Sequence, residues 1–179
     1  MKKKKYLPPN TTASTLQEAA VAYIPKIKNN AETFRSKNYM QRALALMGMP
    51  ENKPAISTNT DFISLIRAGV SKKSLDYILT TTGITAVEMA GIIHTTDRTL
   101  RRYTSTQRLN PEQSERVIEL ATLYARGEEV FEGLNNFKLW MNTPVIALDN
   151  KKPKDFLDTS IGINYLLNEL GRIEHGIFA

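Results

Sequence analysis

Residues 84–105 read ITAVEMAGIIHTTDRTLRRYTS, from Ile84 to Ser105, and they spell two short helices joined by a tight polar turn. Thr85 with Glu88 three residues on is a capping-box pair, in which each side chain closes a free backbone N–H at a helix start. Met89, Ile92 and Ile93 supply the buried side of that helix. The polar turn His94 to Thr96 leads directly into a second helix, Asp97 to Tyr103, with Leu100 and Tyr103 as its anchors to a core. Two such helices, the second one basic, make a helix-turn-helix pattern. Arginine pairs bidentately with guanine and threonine can bond either base edges or phosphates. Arg98 and Arg102, four residues apart, share a face, while Arg101 points about 100° away from Arg102. The residues expected to face DNA are therefore Thr95, Thr96, Arg98, Thr99 and Arg102, with Arg101 structural. The competing reading is a solvated basic helix held by intramolecular salt bridges to Asp97 or Glu115.

Working outward, Phe62, Ile63, Leu65 and Ile66 form a short apolar helix ended by Gly69. Ser71 caps another that runs through Leu75, Ile78 and Leu79 to Gly83. On the other side, Asn110 with Gln113 caps a helix whose first turn suits Pro111, and whose apolar face is Val117, Leu120, Ala121 and Tyr124. Val130 and Phe131 are placed to continue it, but Gly127 would cost about 1 kcal/mol relative to alanine in a helix interior. Arg126-Gly127-Glu128 is accordingly expected to be a hinge. Towards the start, Met1 to Thr12 reads as disordered, and Lys2 to Lys5 suit a solvated terminus better than a phosphate-binding one. Thr15 with Glu18 opens a helix from Leu16 to Ile24 that Pro25 stops. A further helix spans about Lys37 to Met47, with Met40, Leu44 and Met47 on one face, and Met49 to Asn59 reads as a linker.

The 179 residues, 41% of them hydrophobic, suffice for one medium domain or two small ones. No run of about 18 apolar residues exists to span a bilayer, and MKKKKYLPPN is not followed by the apolar segment of a signal peptide. With no cysteine, disulfides and thiolate metal sites are excluded, and a soluble cytoplasmic protein is the default expectation. Split at Ala55 and Gly127, the chain carries 10 basic and 3 acidic residues, then 9 and 7, then 5 and 8, so its net charge runs from +7 through +2 to −3. Two surfaces with different partners are implied, the basic one suited to a polyanion. Plain solubilisation would give a similar balance. No phosphate-cradling loop, zinc-helix motif or cysteine nucleophile occurs. The two histidines, His94 and His175, stand far apart in capping positions, which suits a cap better than a metal ligand or base. Glu128 and Glu129 are helix neighbours that do not face each other. The chain reads as a non-enzyme without cofactor or metal.

The C-terminal stretch, Phe137 to Ala179, reads FKLWMNTPVIALDNKKPKDFLDTSIGINYLLNELGRIEHGIFA. Ile163, Leu166, Leu167, Leu170 and Ile173 lie along one stripe of an amphipathic helix. Asp158, Thr159 and Ser160 offer caps for its start, and Gly176 suits a left-handed closing turn. Ile177, Phe178 and Ala179 then follow a finished helix. These residues can be buried in a groove of their own domain, the commoner outcome for such a tip, or in another protein.

Trp140-Met141, Pro144, Leu148, Pro153, Leu157, Gly162, Leu170, Arg172-Ile173 and Gly176 give this stretch the order and spacing of a known module. It resembles the toxin-binding domain of the Xre/MbcA/ParS bacterial antitoxins, most specifically in the ending L-G-R-I-E-H-G-I. The middle of the chain resembles the helix-turn-helix part of the same family in its glycine turn Ala68-Gly69-Val70, in Thr99-Leu100-x-Arg102, and in Leu109 and Pro111 of RTLRRYTSTQRLNPEQSERV. The resemblance implies an all-α antitoxin that blocks a RES-class, NAD-consuming toxin and represses its own promoter as a homodimer bound to double-stranded DNA. The expected division is an N-terminal arm over 1–59, a DNA-binding domain over 60–127 and a toxin-binding domain over 128–179. The last helix is expected to dock beside the toxin's cleft with Ile177, Phe178 and Ala179 at its mouth, and Glu169, Arg172 and Glu174 on its polar face. The alternative is a repressor without a toxin, its C-terminal module serving dimerisation. An RNA-binding or adaptor role is disfavoured by the absence of exposed aromatic platforms.

Overall fold

The computed structural model describes residues 32–49 and 59–176. In chain order its helices are α1 (Glu32–Leu46), α2 (Asn59–Ala68), α3 (Lys72–Thr82), α4 (Ala86–Ile92), α5 (Asp97–Arg102), α6 (Pro111–Val130), α7 (Leu134–Asn142) and α8 (Ser160–Glu174). Two short 3-10 turns, Ile146–Leu148 and Pro153–Phe156, lie between α7 and α8. The described residues contain no strand, only the isolated bridges Ser71–Arg108 and Val145–Lys151. The all-α class expected from the sequence holds.

The organising element is α6. Helices α1, α2, α3, α7 and α8 all pack against it. That is why Val117, Ile118, Leu120, Ala121, Leu123, Tyr124 and Ala125 are all buried, rather than a single stripe. A helix apolar nearly all round is one enclosed by its neighbours. Its start is as expected: Gln113 N–H donates to Asn110 Oδ1 at 2.8 Å, Asn110 N–H returns to Gln113 Oε1, and Pro111 fills the first turn.

The expected hinge at Arg126-Gly127-Glu128 does not exist, because α6 passes through Gly127 without a break. Gly127 is there for close approach. A Cβ on it would sit 2.3–2.4 Å from three ring atoms of Phe137. Phe137 is fully buried, edge-on to Tyr124 at 5.1 Å between ring centroids, and stacked at 5.7 Å on Trp140, with Phe131 tilted against both. The aromatic cluster joining α6 to α7 thus needs the one residue without a side chain.

The remaining caps behave as local chemistry dictates. Ser71 caps α3 and Gly83 ends it in the left-handed conformation (φ +79°). The α1 helix starts at Glu32, five residues before the expected Lys37, since residues 32–36 carry too few apolar side chains to register in a periodicity. Leu44 and Met47 are buried and Met40 is partly so. The Arg42 guanidinium meets the Glu128 carboxylate through Nε–Oε2 at 2.6 Å and Nη2–Oε1 at 2.8 Å, clasping α1 to α6. The expected helix Leu16 to Ile24, the arm Met1 to Thr12, most of the linker, and Ile177, Phe178 and Ala179 lie outside the described residues.

Candidate functional site

The first candidate face is built on α4 and α5. Thr85 and Glu88 form the expected reciprocal cap: Thr85 N–H donates to Glu88 Oε2 at 2.9 Å, and Glu88 N–H donates to Thr85 Oγ1 at 3.2 Å. The Thr85 backbone N–H, above all, holds the Glu88 carboxyl below the usual carboxylate range. Partial burial opposes the shift, while the Thr85 hydroxyl and the Lys154 ammonium add to it. The turn closes through His94, whose backbone is left-handed (φ +52°), and the Thr95 N–H bonds the Ala90 carbonyl at 2.8 Å.

Thr96 then caps α5 by accepting from Thr99 N–H at 3.1 Å, and the two hydroxyls lie 2.8 Å apart. Both threonine hydroxyls are thus engaged with each other, a use that the sequence reading assigned to DNA alone. Leu100 is buried and Tyr103 half-buried, as anchors should be. Arg101 Nε donates to Asp97 Oδ2 at 2.8 Å, which fulfils its expected structural role. Arg98 and Arg102 are exposed and have no ion-pair partner among the described residues. Thr95 is half-buried beside them.

The second candidate face lies on the C-terminal module. Thr159 caps α8 by accepting from Gly162 N–H at 3.0 Å, and His175 N–H bonds the Gly171 carbonyl at 3.1 Å at the far end. Ile163, Leu166 and Leu170 are buried as expected, with Leu167 and Ile173 partly so. Glu169 and Glu174, however, are not on an open polar face. They are only 6% and 9% exposed, because Glu169 accepts from Arg172 Nη1 at 2.8 Å and Glu174 is ion-paired to Arg126 of α6. Arg172 alone of the three stands in the open. The surface of α8 instead carries Ile161, Asn164, Tyr165 and Asn168.

A seam joins the two faces, and it rests on a residue that the sequence reading passed over. Arg116 is 5% exposed, and its Nε donates to the Ile92 carbonyl at the end of α4 (3.1 Å). Its Nη1 donates to Ser160 Oγ in α8 (2.7 Å) and Nη2 to the Leu157 carbonyl (3.5 Å), with the Glu119 carboxylate 3.5 Å from Nη1. Its five donors in a fixed fork suit three elements meeting at one point. Flanking it, His94 Nε2 lies 3.0 Å from the Asp158 carbonyl and Lys154 Nζ 3.2 Å from Glu88 Oε1. A cleft opens along the seam, lined by Ile84, Glu88, Tyr124, Met141 and Lys154 among others. Burial first, and the Glu88 charge second, push the Tyr124 phenol well up from its ordinary value. No group of three or more candidate metal ligands occurs among the described residues, and no described helix is long and apolar enough to cross a membrane.

Residues 61–121 match the antitoxin Xre-like helix-turn-helix domain, and residues 126–176 match the antitoxin Xre/MbcA/ParS C-terminal toxin-binding domain. Antitoxin Xre of Yersinia enterocolitica is 30% identical over 125 residues, spanning 69% of this chain and 84% of that protein. The chain belongs to the Xre/MbcA/ParS antitoxin family. An antitoxin Xre of Photorhabdus laumondii is 30% identical over 78 residues, 43% of this chain and 53% of its own. The Prs ADP-ribosylating antitoxin of Sphingobium is 27% identical over 129 residues, 66% of this chain and 81% of its own. Among solved structures, the M.tuberculosis MbcT-MbcA toxin-antitoxin complex aligns with a TM-score of 0.44 at 22% identity, covering 69% of this chain and 100% of that one.

In this Xre-type antitoxin the two matched domains meet inside α6, so one helix serves both. The module matched as toxin-binding contains a second glycine whose placement is the reverse of Gly127. Gly171 opens the last turn of α8, and a Cβ there would meet nothing within 4 Å among the described residues. Nothing among the described residues requires it, although glycine costs a helix up to about 1 kcal/mol relative to alanine. Gly171→Ala is therefore expected to raise the thermal midpoint by about 2–4 °C, read by calorimetry. An unchanged or lower midpoint would mean that the position is constrained within the fold.

Proposed function

We propose that this antitoxin neutralises a co-encoded RES-type, NAD-consuming toxin through its C-terminal module, and represses its own operon by placing α5 in the major groove of the promoter as a homodimer. The observation that carries the reading is the coverage of 126–176 by the toxin-binding domain, on a module whose last helix leaves a face open to a partner. The exposed, unpaired Arg98 and Arg102 support the DNA half, as does the helix-turn-helix match. The name of the Sphingobium relative, with its ADP-ribosylating chemistry, is in keeping with a toxin that consumes NAD. Both activities place the protein in the cytoplasm.

In this reading Ile177, Phe178 and Ala179 occupy or cover the mouth of the toxin's cleft. Arg172, steadied by Glu169, sets orientation, and Glu174 serves the fold through Arg126. Growth of cells expressing the adjacent toxin gene tests it. The full chain is expected to restore growth, and the chain ending at His175 to restore it poorly. Full rescue by the shortened chain would refute the plug, and no rescue by the full chain would refute the antitoxin reading itself.

A further inference from the structure

We propose that the cleft along the seam binds a small aliphatic ammonium ion, its head between the Glu88 carboxylate and the Tyr124 hydroxyl and its carbon chain against Ile84, Ile92 and Met141. The assignment depends on neither the DNA nor the toxin reading. Residues of α3, α4, α6, α7 and the second 3-10 turn line the cleft, so an occupant touches both matched domains at once. Its volume is about 190 Å³. Sites for drug-sized molecules hold roughly 300–1,000 Å³, so the occupant here is short.

Tyr124 singles this cleft out. The residue is 3% exposed, yet its hydroxyl makes no hydrogen bond within the described residues. Folded proteins rarely bury a hydroxyl without a partner, because the desolvation is then uncompensated. This hydroxyl is not sealed in, since Tyr124 lines the cleft and its oxygen is not among the enclosed unpartnered atoms. Its partner therefore enters through the cleft. Water can make that bond, but a ligand that makes it and also covers the apolar lining gains more. Gly83 and Gly91 leave room for it, as a Cβ on either would meet nothing within 4 Å among the described residues.

The charges of the lining set the sign of the head. Glu88, Asp155 and Asp158 bring three carboxylates against the one ammonium of Lys154. The Glu88 carboxylate is held ionised by the Thr85 N–H on its Oε2, while its Oε1 meets Lys154 Nζ at 3.2 Å. With side chains 35% and 42% exposed, that ion pair is weak, and a second ammonium can share the oxygen or take it over. The Glu88 charge is close enough to act on the Tyr124 phenol, so one head can reach both groups. An ammonium offers three donors, enough for Glu88 Oε1 and the phenol oxygen together. A carboxylate head would instead enter a cleft of its own sign.

The test compares n-butylammonium, butanol and butyrate, which share a carbon body and differ in the head. Calorimetric titration of the full chain and the Met141 methyl resonance read binding. The amine is expected to bind with a dissociation constant on the order of millimolar, as suits so few atoms, and to move the Met141 signal. Butanol and butyrate should bind about tenfold more weakly or worse. Glu88→Gln, which keeps the capping pattern, and Tyr124→Phe should each weaken the amine about fivefold or more, with the far-ultraviolet circular dichroism unchanged. Gly91→Leu leaves both polar groups in place and should abolish binding by filling the cleft. Butyrate binding as well as the amine would overturn the ammonium assignment. Undiminished amine binding by any of the three variants would overturn the site, and no amine binding by the unaltered chain would overturn the proposal outright. None of these readouts involves toxin or DNA, so the functional reading stands or falls separately.

Discussion

Gly127→Ala is expected to lower the melting temperature of this antitoxin. Intrinsic helix propensity favours the opposite sign, by about 1 kcal/mol for glycine to alanine in a helix interior. Packing decides against it. The added methyl would meet three atoms of the Phe137 ring at 2.3–2.4 Å, and that ring is held on its other sides by Tyr124, Phe131 and Trp140. Overfilling such a site costs about 1–3 kcal/mol, and more where the surroundings cannot shift. The net expectation is a loss of about 2 kcal/mol, or a midpoint about 4–8 °C lower for a chain of this size. Calorimetry on the single variant checks it. A raised midpoint would restore the hinge and mean that α6 and α7 have room between them. Phe137→Leu combined with Gly127→Ala should recover part of the loss, since the smaller side chain makes way for the methyl.

The second large effect falls on DNA. Arg98→Ala with Arg102→Ala is expected to weaken operator binding by two to three orders of magnitude at moderate salt, on the basis of about 1–3 kcal/mol for each lost arginine contact. The slope of log affinity against log salt should flatten by about 1 for each phosphate contact removed. Arg101→Ala is the internal control. Its guanidinium is already bonded to Asp97 on another side of the helix, so it should change affinity by less than about threefold. Fluorescence titrations of operator DNA at several salt concentrations would read all three. Unchanged binding by the double variant would remove α5 from the interface, and an equal loss from Arg101→Ala would mean that α5 acts as a general basic surface.

What could be read from the residues was what they decide locally. The caps at Ser71, Thr85, Asn110 and Thr159 follow from side chains bonding N–H groups three residues away; the first three stand where the pattern put them, and Thr159 is the one used of the three candidates Asp158, Thr159 and Ser160. Arg101 is legible for the same reason, with Asp97 one turn earlier. The misreadings have distant causes. The reason for Gly127 lies in a ring ten residues on, across a turn between helices. Glu174 sits at the edge of a helical wheel and becomes interior only because Arg126 reaches it from α6. Arg116 gives no sequence signal, as its partners are 24, 41 and 44 residues away and two of them are backbone carbonyls. Thr96 and Thr99 are expected from their residue type to face DNA, and the bond between their hydroxyls follows only from their three-dimensional placement.

The unbroken course of α6 has a mechanical side. Its 20 residues make a spar roughly 30 Å long, to which α8 is tied at two points, by the Arg116 fork near the start and by Arg126 and Glu174 further on, while Arg42 holds α1 to Glu128 near its end. A chain swivelling at Gly127 could grip a toxin and a promoter in unrelated orientations. This one has no swivel, so whatever holds α8 also sets the heading of Arg98 and Arg102.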